Sequence, residues 1–184
     1  MSFKQEAALY NLFHADKDYK AEARALVRPY KSCKTVLEIG SGTGLLTRQL
    51  LALGCHVTAI EPSAEMLSKI RNRKNLVKVN KRLEEIKPST FDFDQFDLVV
   101  AHYDVLNYVS HKALPSQFLK LHYWGKHVSC EMWDGCGGVK PITVKFAPGW
   151  VRIRLGFGFK KRAYLWYIYL GKGVIVEKHV IYLH

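Results

Sequence analysis

The chain has 184 residues, 48% of them hydrophobic and 24% charged, and a formal net charge of +12. These are the values of a soluble globular protein, long enough for one domain with a real core. Its longest apolar run, Ala163 to Leu170, is far too short to span a bilayer, and the polar start Met1-Ser2-Phe3-Lys4-Gln5-Glu6 is unlike a secretory leader.

Cys33, Cys55, Cys130 and Cys136 are scattered without metal-type spacing, so no metal site is expected. Cys33 and Cys55 flank apolar strands and read as small hydrophobes, which fits a reducing, cytoplasmic setting. The positive charge is concentrated in two places. Between Lys69 and Arg82 there are seven Lys/Arg and no acid, and from Lys140 to His184 nine Lys/Arg stand against Glu177 alone. Faces of this kind attract phosphates, on a nucleotide-linked metabolite or on nucleic acid, although any single lysine reads equally well as a solubilising side chain.

Residues 5–30 predict a helix ending near Pro29, with Tyr10-Asn11-Leu12-Phe13-His14-Ala15-Asp16-Lys17-Asp18-Tyr19 too polar and aromatic for a simple core face. Strand 1 is expected at about 35–39. It feeds Gly40-Ser41-Gly42-Thr43-Gly44, which opens into a helix over 43–53. Such a strand–glycine loop–helix layout lets backbone approach a ligand, because glycine admits φ > 0 and carries no Cβ. Strand 2 (55–60) ends in Glu61, about 20 positions after the first glycine, where a carboxylate can take the two ribose hydroxyls of an adenosine.

Ser63 then predicts a helix N-cap with Glu65 in the first turn, and Met66, Leu67 and Ile70 form the apolar stripe. Leu76–Val79 reads as strand 3. Phe96–Ala101 is a continuous apolar strand 4, as expected of a strand buried on both faces. It runs into the polar, aromatic segment His102-Tyr103-Asp104-Val105-Leu106-Asn107-Tyr108, which should line a crevice at the carboxyl ends of the strands. A helix over 115–123 and a fifth strand over 127–133 follow. Beyond Gly138 the period changes to two, in segments 142–146, 150–159, 163–170 and 174–183, the last pair joined across Gly171-Lys172-Gly173 as a hairpin.

On Val36–Thr47, on Val57-Thr58-Ala59-Ile60-Glu61-Pro62-Ser63-Ala64-Glu65-Met66-Leu67 and on Phe96-Asp97-Leu98-Val99-Val100, the sequence resembles a class I S-adenosylmethionine-dependent methyltransferase over roughly residues 35–110. The resemblance implies an α/β fold: a Rossmann-like, doubly wound, mostly parallel sheet with helices on both faces, here with an antiparallel β-rich C-terminal extension. One domain over 1–184 is expected, with a helical cap (1–30), a cofactor-binding core (31–135) and a β-rich tail (136–184). A narrower likeness rests on Leu9-Tyr10-Asn11-Leu12-Phe13-His14, Lys17-Asp18-Tyr19, Asp104-Val105-Leu106-Asn107-Tyr108 and Glu177-Lys178-His179. It is similar to N-methyltransferases acting on nucleotide-linked amino sugars, in which the β-rich insertion builds the acceptor platform and often a dimer. The sequence departs from the family at Lys81-Arg82-Leu83, where an acidic residue usually meets the adenine amine. That leaves adenine to the backbone near Leu83 or to Glu84. It departs again after Glu177-Lys178-His179, where no final helix and strand pair precedes His184.

By this resemblance the cofactor is S-adenosyl-L-methionine. Gly40, Ser41, Gly42 and Gly44 would approach its methionine part and Tyr19 its carboxylate. Glu61, followed by Pro62, would hold the ribose, Met66 and Leu83 would flank the adenine, and Ala101 and His102 would lie near the sulfonium. Tyr10, Tyr108 and His179 are candidates to take a proton from an amine acceptor. Each aromatic residue among these has an ordinary alternative as a packed side chain, and each histidine as a semi-buried polar group. Three readings stay open: a methyltransferase for a small anionic acceptor, with a nucleotide-linked amino sugar favoured; a nucleic-acid methyltransferase using the basic face; and a catalytically idle S-adenosylmethionine binder whose aromatic strands at 150–170 form a partner or homodimer surface.

Overall fold

A computed structural model describes residues 11, 17–30, 32–91, 95–103, 105–110 and 113–130, together with the backbone of four further strands between 144 and 182. Helix α1 (Tyr19–Val27) starts where Asp18 accepts a hydrogen bond from Ala21 N, satisfying an otherwise orphaned amide. Its buried residues, Tyr19, Ala23 and Leu26, recur at helical spacing and form one stripe.

Six strands then make one sheet in the order β3-β2-β1-β4-β5-β6. They are β1 (Thr35–Ile39), β2 (His56–Ile60), β3 (Leu76–Val79), β4 (Leu98–Ala101), β5 (Val128–Cys130) and β6 (Val144–Lys145). Pairings among β1 to β5 are parallel, and β6 joins β5 antiparallel. Helices α2 (Leu45–Ala52), α3 (Ala64–Ser68) and α4 (Leu114–Trp124) supply the crossovers. This doubly wound arrangement matches the Rossmann-like expectation for the core. A second sheet pairs β7 (Trp150–Leu155), β8 (Arg162–Leu170) and β9 (Val174–Tyr182) antiparallel.

Strand alternation divides the core in two. Val36, Val57, Ala59, Leu98 and Val100 pack with Leu46, Leu50, Ala23 and Leu26 on the side of α1 and α2. Leu37, Ile39, Val99, Ala101 and Val128 pack with Phe118, Leu121 and Trp124 of α4 on the other. Every residue of β4 is buried, as a central parallel strand requires. In register, Glu38 lies beside Ala59 and Val100, and Val100 beside Ser129. Two polar side chains thus share a row on the α1–α2 face.

The core boundaries shift slightly from the sequence expectations, each for a local reason. Helix α2 starts at Leu45 because Gly44, at φ 80°, is its N-cap. Strand β4 starts at Leu98 because Asp97 turns its side chain to the start of β1. Its Oδ2 accepts from Lys34 N (2.9 Å), Thr35 N (3.0 Å) and Thr35 Oγ1 (3.1 Å), and its Oδ1 from Lys126 Nζ (2.8 Å). Burial alone would raise the Asp97 pKa, but Lys126 and the Lys34 and Thr35 donors together hold it well below the usual carboxylate range. A depressed carboxylate stabilises the fold above its unfolded pKa and ceases to do so as it protonates. Asp97→Asn is therefore expected to cost about 2 kcal/mol at pH 7. That deficit should shrink as the pH falls below about 4, which urea titrations at pH 7 and pH 3 would read.

Candidate active site

The carboxyl ends of β1, β2 and β4 converge where the strand order reverses direction, the place where open α/β sheets bind ligands. The loop after β1 is shaped by three left-handed glycines, Gly40 (φ 73°), Gly42 (φ 54°) and Gly44 (φ 80°). The sequence suggests that their missing Cβ atoms make room for a ligand. At two of them the structure gives a further reason. A Cβ on Gly40 would lie 2.0 Å from Val105 Cγ2, and one on Gly44 would lie 2.7 Å from Ile70 Cγ1. These glycines let the protein close on itself around the loop. Gly40 N and Ser41 N both donate to Ile60 O, which ties the loop to the end of β2.

Glu61 braces the same loop. Its Oε2 accepts from Gly42 N and its Oε1 from Ser63 N, each at 2.9 Å. Burial raises its pKa, and the two amide bonds partly offset that. Each carboxylate oxygen keeps a second lone pair for a hydroxyl. Asn80, just past β3, donates to the carbonyls of Glu61 and Pro62. Ser63 caps α3 by accepting from Met66 N.

A cleft between the glycine loop and α1 is lined by Tyr19, Glu38, Gly40, Ser41, Leu45, Leu46 and Tyr103. Ser41 Oγ is buried without a hydrogen-bond partner. Glu38 sits deep in the wall and accepts from Thr47 Oγ1 at 2.7 Å. Burial, with Glu22 and Glu61 nearby, pushes its carboxyl up to about 8 despite that bond. Thr43 Oγ1 donates to Asn11 Oδ1 (2.6 Å), which places Asn11 on the loop.

Of the residues singled out from sequence, Tyr19, Gly40 and Ser41 line this cleft, and Gly42, Gly44 and Glu61 frame it. Met66, Leu83 and Ala101 are buried nearby in the core, and Pro62 is exposed. His102 is buried, with its ring on Glu22 and Ser129; its neighbour Tyr103 lines the cleft instead. Tyr108 is 86% exposed and outside the lining. Tyr10 lies outside the described residues. His179 falls on β9, opposite Leu165, and its side chain lies outside them as well.

Tyr103 belongs to the segment after β4 that the sequence places at the crevice, and it does line the cleft; sequence reasoning missed Glu38, Glu22 and Ser129. For Glu38 a signal existed: a carboxylate between Leu37 and Ile39 in a strand buried on both faces needs a reason. Glu22 and Ser129 carry no local signature, since they meet only through the fold.

The doubly wound sheet, the left-handed glycine loop and the carboxylate after β2 define the class I methyltransferase fold. Residues 36–125 match the family described as Methyltransferase domain. A ribosomal RNA small subunit methyltransferase of Arabidopsis thaliana is 35% identical over 74 residues, which are 39% of this chain and 21% of that protein. The chain therefore matches about a fifth of that relative's length. Among solved structures, DesVI of Streptomyces venezuelae superposes with a TM-score of 0.59 at 20% identity, over 95% of this chain and 81% of that one. CalS10, an amino pentose methyltransferase from Micromonospora echinaspora in a structure with bound S-adenosylmethionine, gives 0.58 at 18% identity, over 98% and 81%. These structural likenesses establish the fold. The cleft fits the cofactor: its lining offers a buried, unpartnered hydroxyl at Ser41 and a carboxyl at Glu38, with the braced carboxylate of Glu61 beside the loop. Among the described residues no group of side chains is arranged to hold a metal ion, and no helix is long and apolar enough to cross a membrane.

Proposed function

We propose that this chain is an S-adenosylmethionine-dependent methyltransferase acting on a small anionic acceptor, with an amine of a nucleotide-linked sugar as the favoured case. The observation that carries the transfer reading is the union of the left-handed glycine loop with Glu61, whose two oxygens tie that loop to the start of α3. The bound cofactor supplies an electrophilic methyl group on a sulfonium. The chain's own part is to orient that group and exclude water. Gly40 and Ser41 form the floor under the methionine portion, Glu61 takes ribose hydroxyls, and Tyr19 and Tyr103 close one wall.

The amino-sugar reading draws on the sequence likeness around Tyr19 and Tyr108, and on fold neighbours that include an amino pentose methyltransferase. In it, Tyr10, Tyr108 and His179 are the groups that would accept the amine proton. The strands after residue 136 would then form the acceptor platform and a homodimer surface.

A second reading, methylation of nucleic acid, is favoured by one feature. Lys69, Arg71, Arg73, Lys74, Lys81 and Arg82 are all exposed around the edge strand β3. Binding of a short RNA that weakens steeply with added salt would support it, and no binding at low salt would end it.

Calorimetric titration with S-adenosylmethionine and S-adenosylhomocysteine tests the cofactor step. Micromolar binding is expected for wild type, with at least a tenfold loss, roughly 1.4 kcal/mol or more, in Glu61→Ala. Failure of the wild type to bind either compound would overturn the enzyme reading. Turnover to S-adenosylhomocysteine with amine-bearing nucleotide sugars, set against simple phosphates and RNA, would then identify the acceptor class.

A further inference from the structure

Helix α1 carries a carboxylate that the transfer reaction does not use. Glu22 Oε1 lies 2.8 Å from His102 Nδ1, and His102 Nε2 lies 2.9 Å from Ser129 Oγ. The other oxygen, Oε2, accepts from Tyr103 OH and lies 3.4 Å from Lys17 Nζ. Lys17 Nζ also sits 3.7 Å from the centroid of the Tyr103 ring. One side chain thus joins the N-terminal segment, α1, the end of β4 and β5.

Tyr103 is the member that reaches the cleft. Its ring packs against that of Tyr19 at 5.6 Å between centroids, and both line the wall. It is also, among the described residues, the non-glycine residue with a left-handed backbone, at φ 59°. A bulky residue holds that conformation only where its surroundings over-determine it. The surroundings here are the Glu22 carboxylate at the phenol, the Lys17 ammonium on the ring face and the anchored His102 immediately before it.

We propose that Glu22 is a positioning residue for the cofactor cleft: by holding His102 and Tyr103 at the end of β4 it fixes the tyrosine wall that faces the methionine end of the ligand. The inference rests on the cofactor reading of this cleft. Glu22 makes no claim on the ligand itself; it acts through Tyr103. The imidazole serves as a spacer, donating from Nδ1 to Glu22 while Nε2 meets the Ser129 hydroxyl, which fixes the direction in which the chain leaves β4.

The test is titration of S-adenosylhomocysteine into wild type, Glu22→Gln, Tyr103→Phe, the double variant and Leu26→Ala, at a temperature where melting curves show all five folded. Leu26 belongs to the α1 core and lies outside the cleft, so its variant is a control for lost stability alone. Glu22→Gln is expected to weaken binding by about tenfold and Tyr103→Phe by several-fold. The double variant should bind no more weakly than Glu22→Gln, because both changes break one route. Leu26→Ala should lower the melting temperature while leaving the dissociation constant within threefold of wild type. Wild-type binding with an unchanged Glu22→Gln constant would overturn the inference, as would full additivity in the double variant. Absence of binding by wild type would overturn the cofactor reading and the inference with it.

Discussion

Gly40→Ala is expected to abolish cofactor binding and to leave little soluble, folded protein. Two independent costs meet at this position. The backbone stands at φ 73°, a left-handed conformation that costs a residue with a Cβ about 1–2 kcal/mol. The new Cβ would also fall 2.0 Å from Val105 Cγ2 and 3.1 Å from Val105 Cβ, far inside contact distance. Val105 cannot simply yield, because it packs against the core cluster that contains Leu37, Ile39 and Leu106. Relief requires the loop to move, and the loop carries the amides that bond Ile60 O and Glu61. The combined loss should exceed 3 kcal/mol on the scale of overpacked sites. Shortening the opposing side chain separates the two terms. Gly40→Ala combined with Val105→Ala should recover soluble protein with a melting temperature still below that of Val105→Ala alone, since the backbone cost persists. Thermal melts of the three variants read this directly. A Gly40→Ala protein that melts within a degree or two of wild type would show that the loop is not held as described.

The same site shows why some of its parts were legible in sequence and others were not. The glycine loop and Glu61 lie within one local strand–loop–helix–strand unit, so their chemistry is written in residue spacing over 36–67. The core strands were equally readable, because central parallel strands such as Leu98–Ala101 must be apolar on both faces. Ser63 announced its cap through its position before Glu65 and Met66, and it does accept from Met66 N. Glu22, His102, Tyr103 and Ser129, by contrast, are up to 107 positions apart in sequence, and only the winding of the sheet brings them together. His102 illustrates the limit. Its position after β4 marks the crevice, but which way the ring turns depends on Glu22 arriving from α1. The left-handed backbone of Tyr103 has no compositional signal at all, since glycine or asparagine would be expected there.

Glu38 supplies the second large effect, and its sign follows from burial. The carboxyl lies in the row of β1 that faces α1 and α2, is 3% exposed, and receives one hydrogen bond, from Thr47 Oγ1. Burial, reinforced by the nearby Glu22 and Glu61 charges, raises its pKa to about 8 from an ordinary 4.5. A carboxyl whose folded pKa is raised leaves stability intact below the unfolded pKa and removes it as the pH climbs through the folded value. Wild-type stability is therefore expected to carry a falling component from about pH 4.5 to about pH 8, worth up to about 5 kcal/mol at its upper bound. Glu38→Gln keeps the acceptor for Thr47 and cannot ionise. It should match the wild type near pH 5 and exceed it at pH 8.5, measured by urea unfolding. The ligand makes the same group informative about binding. A cation seated in this cleft favours the ionised carboxyl, so S-adenosylmethionine bound at pH 7 should expel a fraction of a proton. Calorimetry in two buffers of different ionisation enthalpy detects that release, and Glu38→Gln should eliminate it. A variant that releases the same proton would place the linked group elsewhere, with Glu61, the other buried carboxylate of raised pKa at the loop, next in line.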